Sequence, residues 1–467
     1  MKKIALFITL LFCNTTLFAQ NTFEKIIDTL GSGGANCIQE TYDGGYIYGG
    51  VCSLNGNDAI IVKLDSIGTI EWVKTYSGPS IEGVLYLEQI PDSGYMVNAL
   101  YDGGANSKSW LLRLDANGDT LWTKTFSVGI GPTLPPQQNS MASVNNVIYG
   151  LSGYYIPPSF MPDIFFISVT GNGFLLSSKV YTTPFSSDGG SIWKTHDGGF
   201  IMAGEIGTPS FHSDIYMIRT NTYGDTLWTK SYDLSYHEVA QDIKQTNDSG
   251  FVITGYVENT ATFQYNIGII KTNAIGDTLW TKLYGDTISC GGSSIYQTND
   301  GGFILTGVFA GDIYLLKTDS NGDSLWSRRF GQLNTGDFSF FVRQTKDNGY
   351  IIGGQGIVNG IGGSYIIKTD SMGNVNSGTG IAEVNNPFKF NIYPNPSSGN
   401  FTIQVKGLPQ KNTELKIYNL MNQCIYSCRL SNNVKEQIDL SHLPNGMYVA
   451  TIMVNNKMVS QKISIYK

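Results

Sequence analysis

Residues 118–124 read GDTLWTK, and the same seven letters return at 224–230 and 276–282. Residues 322–328 are a near copy, GDSLWSR. Identical heptads in one chain are either a reaction centre copied several times or a structural part that several units each need. Their surroundings repeat too. The turn Asp-x-Gly-Phe/Tyr begins at Asp43, Asp92, Asp197, Asp248, Asp300 and Asp347, and a degenerate copy, Asn145-Asn146-Val147-Ile148, fills the one gap. Seven turns spaced about 50 residues apart define a repeat, the first thing to settle in any sequence. The heptad's tryptophan falls at Trp72, Trp122, Trp228, Trp280 and Trp326, and Ser177 holds the missing place after Asn172-Gly173.

One unit reads as four strands: 293–298, 303–308, 312–318 and 324–330. Asp-Gly and Asn-Gly between apolar, β-branched runs are strong hairpin signals, because the tightest turns need positive φ. Third strands such as Ile313-Tyr314-Leu315-Leu316 are nearly continuous apolar runs, as a sheet packed on both faces requires. The fourth strand, Leu121-Trp122-Thr123-Lys124 in one copy, is more polar and suits a rim. Repeated four-stranded units of this length predict an all-β fold, a seven-bladed β-propeller. The rival is an open solenoid, and the ends separate the two. Phe23-Glu24-Lys25 aligns with Trp72-Val73-Lys74, while the last unit ends near Asp370 with no convincing fourth strand. The N-terminal strand is therefore expected to complete the last blade. The period loosely resembles kelch repeats but lacks their full signature, and no kelch function is carried over.

Composition agrees. Glycine is abundant (55 residues) and charged residues make up 14% of the 467, which suits a turn-rich β protein and not a helical bundle or a disordered chain. Residues 1–19 read as a secretory leader: Lys2 and Lys3, an apolar stretch, then Leu17-Phe18-Ala19 as the cleavage site. No later apolar run is long enough to span a bilayer, so the mature chain is expected to be soluble. Cys37, Cys52, Cys290, Cys424 and Cys428 then remain, too few and too irregular for a disulfide scaffold. Cys37 and Cys52 fall on neighbouring strands of one hairpin and are the candidate pair. Residues 20–387 carry a net charge of −15 against +6 on 388–467, and so acidic a body argues against nucleic-acid binding.

Residues 371–387 are small and polar and read as a linker between a body at 20–370 and a tail at 388–467. The tail alternates strands and turns, as a small β-sandwich does. It contains Tyr393-Pro394-Asn395-Pro396 followed by Ser-Ser-Gly, then Leu443-Pro444-Asn445-Gly446-Met447-Tyr448, and ends on 462–467, KISIYK. In these three motifs, through Tyr393, Pro394, Asn395, Pro396, Leu443, Gly446, Tyr448, Lys462 and Lys467, the tail resembles the type A C-terminal sorting domain of the type IX (Por) secretion system of Bacteroidetes. The resemblance implies export across the outer membrane by that machinery and removal of the tail by a sortase-like peptidase. The body would then be released, or attached to surface lipopolysaccharide, its membrane association only indirect.

Chemistry is harder to find. Asp115-Ala-Asn117-Gly-Asp119 and Asp319-Ser-Asn321-Gly-Asp323 space oxygens like the start of a calcium loop, but Phe126 and Phe330 stand at the twelfth position where a glutamate is required. They read as hairpin turns closed by an Asx side chain, and neither a metal nor a cofactor is expected. No G-x-S-x-G, H-E-x-x-H or phosphate loop is present. Loop length carries the useful signal. The first-to-second and third-to-fourth turns are constant, whereas the second-to-third loops and the connections between units vary, and these two classes lie on opposite faces. Function belongs on the variable face. Its candidate residues are Tyr154, Tyr155, Phe160, Phe211, His212, Tyr236, His237 and Tyr265, aromatics and histidines suited to binding a glycan or a protein. The third unit, most irregular of the seven, is the first place to look. The alternative expectation is an extracellular polysaccharide hydrolase or lyase with acidic residues at the channel mouth.

Overall fold

The computed structural model describes residues 21–28, 33–52, 57–78, 82–102, 107–129, 131–134, 139–157, 161–210, 212–285, 289–331, 336–358, 361–375, 390–395, 397–405, 413–419, 424–430, 435–454 and 457–467. The expected leader, most of the linker, Phe160, Phe211 and Pro396 lie outside them. All regular structure among these residues is β. The chain divides into two compact units, Met1–Ser377 and Gly378–Lys467.

The described residues of the first unit form seven antiparallel sheets, numbered here in chain order. Sheet 1 is Ala35–Glu40, Tyr46–Cys52, Asp58–Leu64 and Ile70–Tyr76; sheet 2 is Gly83–Gln89, Tyr95–Tyr101, Lys108–Leu114 and Thr120–Phe126. Sheet 3 is Met141–Val144, Ile148–Tyr155, Asp163–Thr170 and Leu175–Tyr181, with Thr133–Leu134 as an extra strand. Sheets 4 and 5 are Ser187–Lys194, Phe200–Gly207, Ser213–Thr220, Thr226–Tyr232 and Glu238–Gln245, Phe251–Asn259, Gln264–Thr272, Thr278–Tyr284. Sheet 6 is Cys290–Gln297, Phe303–Phe309, Asp312–Thr318 and Ser324–Phe330, its first strand starting three residues before the sequence suggests. Sheet 7 takes Phe338–Gln344, Tyr350–Val358 and Ile361–Thr369, and its fourth strand is the N-terminal Phe23–Ile27. Phe23 lies opposite Lys368 just as Trp72 lies opposite Lys63 in sheet 1.

The turns explain the repeated letters. In sheet 1 the Asp43 carboxylate accepts from the Thr41 hydroxyl at 2.5 Å and the Gly45 amide at 3.0 Å. It also meets the buried Lys63 ammonium at 2.9 Å. Burial pushes the Asp43 carboxyl up, but the Thr41 hydroxyl, Lys63 and the Gly45 amide outweigh it and hold it at about 2. The same ion pair recurs as Asp92–Arg113, Asp197–Arg219, Asp248–Lys271, Asp300–Lys317 and Asp347–Lys368. Register places Ser168 in the cation's position in sheet 3 and Asn146, not Asn145, in the aspartate's, so Tyr149 replaces the turn aromatic. Both members of the charged pair are lost together.

GDTLWTK itself is a clasp between sheets. Gly118 sits at φ 80°, and the Trp72 ring of the preceding sheet lies so close that a Cβ there would meet it at 2.9 Å. Trp122, Trp228, Trp280 and Trp326 cover Gly173, Gly276, Gly322 and Gly373 in the same way, and Phe23 covers Gly68 of sheet 1. Where Ser177 leaves a gap, Phe166 covers Gly224 and packs on Phe200 at 5.3 Å. The tryptophans also meet the aromatic of the next sheet's first turn edge-on, as Trp228–Phe251 and Trp280–Phe303 do at 5.9 Å. The heptad's lysine reaches the aspartate of the next copy, as in Lys230–Asp277 at 2.9 Å and Lys282–Asp323 at 2.7 Å. Such exposed pairs contribute little, so the rings dominate. The Asp115 and Asp319 carboxylates accept from the amides two and four residues on, closing their turns.

Cys37 and Cys52 are buried free thiols: Cys37 lies opposite Gly49 and Cys52 opposite Asp58, so the hairpin register sets them apart. The second unit pairs Phe390–Tyr393, Asn400–Val405 and Lys435–Asp439 in one sheet. Cys424–Leu430, Thr413–Tyr418, Gly446–Val454 and Lys457–Ile465 form another. Ile392, Phe401, Ile403, Ile417, Ile452 and Ile463 from both build one apolar core.

Trp280→Ala is expected to cost about 2–4 kcal/mol, since it removes a large ring from between two sheets. Leu279→Ser, at the neighbouring exposed position, should stay within about 0.5 kcal/mol. Urea unfolding of the two variants checks the contrast.

Candidate functional site

A pocket of about 600 Å³ opens at the variable connections and the strand ends beside them: 161–162, 185–188, Glu205, 207–209, His212, Ser213 and His237 line it. Local pairing builds its chemistry. Asp188 is the second residue of the first strand of sheet 4, and the register sets it directly opposite Glu205 on the second. Like charges at opposed positions destabilise a sheet, and both carboxyls respond. Burial and the Glu205 charge push Asp188 up to about 7 against the opposing Gly189 amide. Burial raises Glu205 as well, with His237 and Ser213 offsetting part of the effect. One oxygen of Glu205 is buried without a hydrogen-bond partner.

His212, Ser213 and His237 complete the lining, with Tyr236 and Tyr265 packed against the two histidines. Ser213 Oγ lies 2.6 Å from His237 Nδ1 and donates to the Glu238 carbonyl at 3.2 Å. An isolated bridge pairs the Ser213 and His237 backbones. His212 packs on Tyr236 with ring centroids 3.8 Å apart and planes inclined at 46°, and His237 meets Tyr265 edge-on at 6.2 Å. Four residues expected from the sequence, His212, Tyr236, His237 and Tyr265, are thus brought together. Tyr154 is half-buried on sheet 3 and near enough to feel the Asp188 charge. Tyr155 is drawn away: it packs against the core and its own loop at Gly129 and Gly131. Asp188 and Glu205 were missed. Only strand register brings them together, although "SSDGGS" and "AGEIG" each place an acid inside a strand otherwise apolar or small.

The innermost strands tell a different story. Asp242, fully buried, accepts from Asn139 at 2.7 Å, from Ser191 and Ser294 at 3.0 Å, and from the Ile295 amide at 3.0 Å. It also pairs with Lys244, whose ammonium burial pushes down to about 7 despite that partner. Lys244 and Arg343 lie over the Trp193 ring at 4.4 and 5.2 Å, and Arg343 also faces Tyr296 and Phe341. Where these first strands meet, Asp242 has a full set of partners, whereas Asn139 Oδ1 and Arg343 Nη1 are buried without a hydrogen-bond partner. A second depression of about 690 Å³ beside sheet 2, at Tyr101, Trp110 and Lys124, is broadly open and contains no carboxylate.

In the second unit the three motifs are tied together. The Ser464 amide donates to Asn395 Oδ1 at 2.8 Å, the Lys467 amide to Asn445 Oδ1 at 3.0 Å, and the Tyr448 hydroxyl to the Pro444 carbonyl at 2.9 Å. Leu443 packs on the core, Gly446 and Tyr393 are exposed, and Lys462 pairs with Val449. Pro394 lies beside them on the surface.

Residues 391–466 match the family model of the secretion system C-terminal sorting domain. The tail is therefore a type IX sorting domain, following a large repeated β-strand body, and marks a protein exported to the cell surface or beyond. Recognition by the type IX machinery follows from it. No curated protein sequence matches the chain. Among solved structures it is similar to puromycin hydrolase, at TM-score 0.50 and 10% identity over 82% of this chain and 60% of that one. It is also similar to Sqt1 from Chaetomium thermophilum (TM-score 0.44, 9% identity, 75% of this chain and 99% of that one). A third likeness is to the β-propeller domain of the Trilobed protease from Pyrococcus furiosus (TM-score 0.42, 11% identity, 77% and 98%). At these identities the likeness is one of fold, and the body is a β-propeller-like array of four-stranded sheets.

The raised Asp188 value has a pH consequence. The folded chain keeps a proton that the unfolded chain releases above about pH 4. Stability from this group is therefore complete below pH 4 and falls as pH rises toward 7. Asp188→Asn should melt with the wild type at pH 4 and on the order of 3 °C above it at pH 8; calorimetric melting curves at the two pH values measure the difference.

Proposed function

We propose that the seven sheets form a closed seven-bladed β-propeller completed by the N-terminal strand, and that the exported body binds a carbohydrate in the pocket of sheets 4 and 5. Residues 1–19 are the leader removed on export, 20–370 the propeller, 371–387 the linker and 388–467 the sorting domain. The body is released or held at the surface through lipopolysaccharide once the tail is cut. Closure is supported by contacts that continue from sheet 7 to sheet 1. Phe23 meets Tyr46 at 5.7 Å, Lys25 donates to the Gly68 carbonyl at 2.9 Å, and the Lys346 amide donates to Glu40 at 2.8 Å. If the ring closes, Phe23→Ala should cost as much as the Trp280 substitution, about 2–4 kcal/mol. An unchanged urea midpoint would mean an open array.

One observation carries the binding reading: His212, whose ring packs on Tyr236, lines one pocket with Asp188 and Glu205, and one Glu205 oxygen there is buried without a partner. Flat rings suit the apolar face of a sugar, and carboxylates accept from its hydroxyls, which satisfies groups otherwise costly to bury. The pocket's size fits a small ligand. A glycan array probed with the purified protein, followed by calorimetry, tests it. Tyr236→Ala should weaken binding at least about tenfold, or 1.4 kcal/mol; silence across the array rejects the sugar and leaves a protein ligand. A second reading, a polysaccharide hydrolase or lyase, rests on Asp188 being half-protonated near neutral pH, as a general acid must be. Release of reducing or unsaturated ends from a bound glycan would establish it.

A further inference from the structure

Asp214, Asp233 and Glu238 bring one carboxylate oxygen each within 4.8 Å of one another, the one such convergence among the described residues. They come from three places: the start of the third strand of sheet 4, the end of its fourth, and the start of sheet 5. Glu238 is fully buried and neither of its oxygens has a hydrogen-bond partner. The amides of Ser235 and Leu234 face it outside hydrogen-bonding geometry. Register puts Glu82 of sheet 2 and Asp337 of sheet 7 in the same position, and both are buried too. Asp337, however, accepts from the Ile357 amide at 2.8 Å. Only in sheet 5 is that acid joined by two more.

We infer that Asp214, Asp233 and Glu238 form a calcium site that ties sheet 4 to sheet 5 behind the pocket. Oxygen-only ligands select a hard cation, and calcium tolerates the irregular set that three strands supply. A cation would give the Glu238 carboxylate a partner and relieve the repulsion among three acids, while the exposed side at Asp233 leaves room for water ligands. The Glu238 carbonyl accepts from Ser213, which holds His237, so the ion would brace the pocket wall. This departs from the sequence expectation of no metal, and it stands whatever fills the pocket.

Full-length protein stripped with chelator and titrated with calcium chloride should show one saturable site with a dissociation constant on the order of 0.1–1 mM. Its melting temperature should rise with the logarithm of calcium concentration. Glu238→Gln should abolish both responses, and Asp233→Asn, at an exposed position that leaves folding intact, should weaken binding about tenfold, a fully resolvable change of 1.4 kcal/mol. Asp115→Asn, whose carboxylate closes a distant turn, should leave binding unchanged. No heat and no melting shift at about 10 mM calcium, well above that range, overturns the inference. So does a calcium response that Asp233→Asn leaves within twofold of the wild type.

Discussion

The structure of the body depends on an aromatic ring lying over a glycine. Each heptad opens with a residue at positive φ, which favours glycine on backbone grounds, and the ring of the preceding sheet removes the space a Cβ would need. Glycine is thus required twice over. The same seven residues also supply the ring and the lysine that reach the following copy. One stretch is both socket and plug, so a change in one copy must suit its neighbours on both sides. This is the physical reason GDTLWTK is repeated letter for letter while the rest of each unit drifts.

Sheet 3 shows how the constraint is met when the letters change. Ser177 provides no ring, and Phe166, from the adjacent strand, covers Gly224 instead. The buried cation and its aspartate vanish as a pair, to Ser168 and Asn146. Removing the aspartate alone would leave a buried cation without its charged partner; removing both leaves two neutral groups. Sheet 3 thus keeps its junction with sheet 4 although it has neither the ring nor the ion pair of the other sheets.

The fold was legible because its signals are local. Turn glycines, Asp-Gly and Asn-Gly hairpins and the apolar third strands all act within a few residues, and the split unit followed from the place of Phe23. The degenerate turn was misaligned by one residue because Asn145 and Asn146 are both acceptable Asx residues, and only pairing with the third strand separates them. The site was half legible. Loop length identified the variable face, and the aromatics and histidines of 212–265 could be picked out as residue types with a use there. The carboxylates could not. Asp188 and Glu205 are neighbours only through register, and Asp214, Asp233 and Glu238 converge only through strand ends. Any pair among the body's many acids looked equal in the sequence.

Division between the two faces follows from the clasp. The heptad turns and the Asp-Gly turns bind adjacent sheets, so the edge that carries them cannot vary without loosening a junction. The opposite connections carry no such duty and can change in length and charge. An acid at the first position of the first strand illustrates the freedom. In sheet 7 it caps a backbone amide and serves the scaffold. In sheet 5 the same position, with two acids supplied by neighbouring strand ends, concentrates negative charge that the scaffold does not need. Two buried oxygens without partners are costly to hold, and the Glu238 carbonyl, through Ser213 and His237, connects this position to the pocket that holds Asp188 and Glu205.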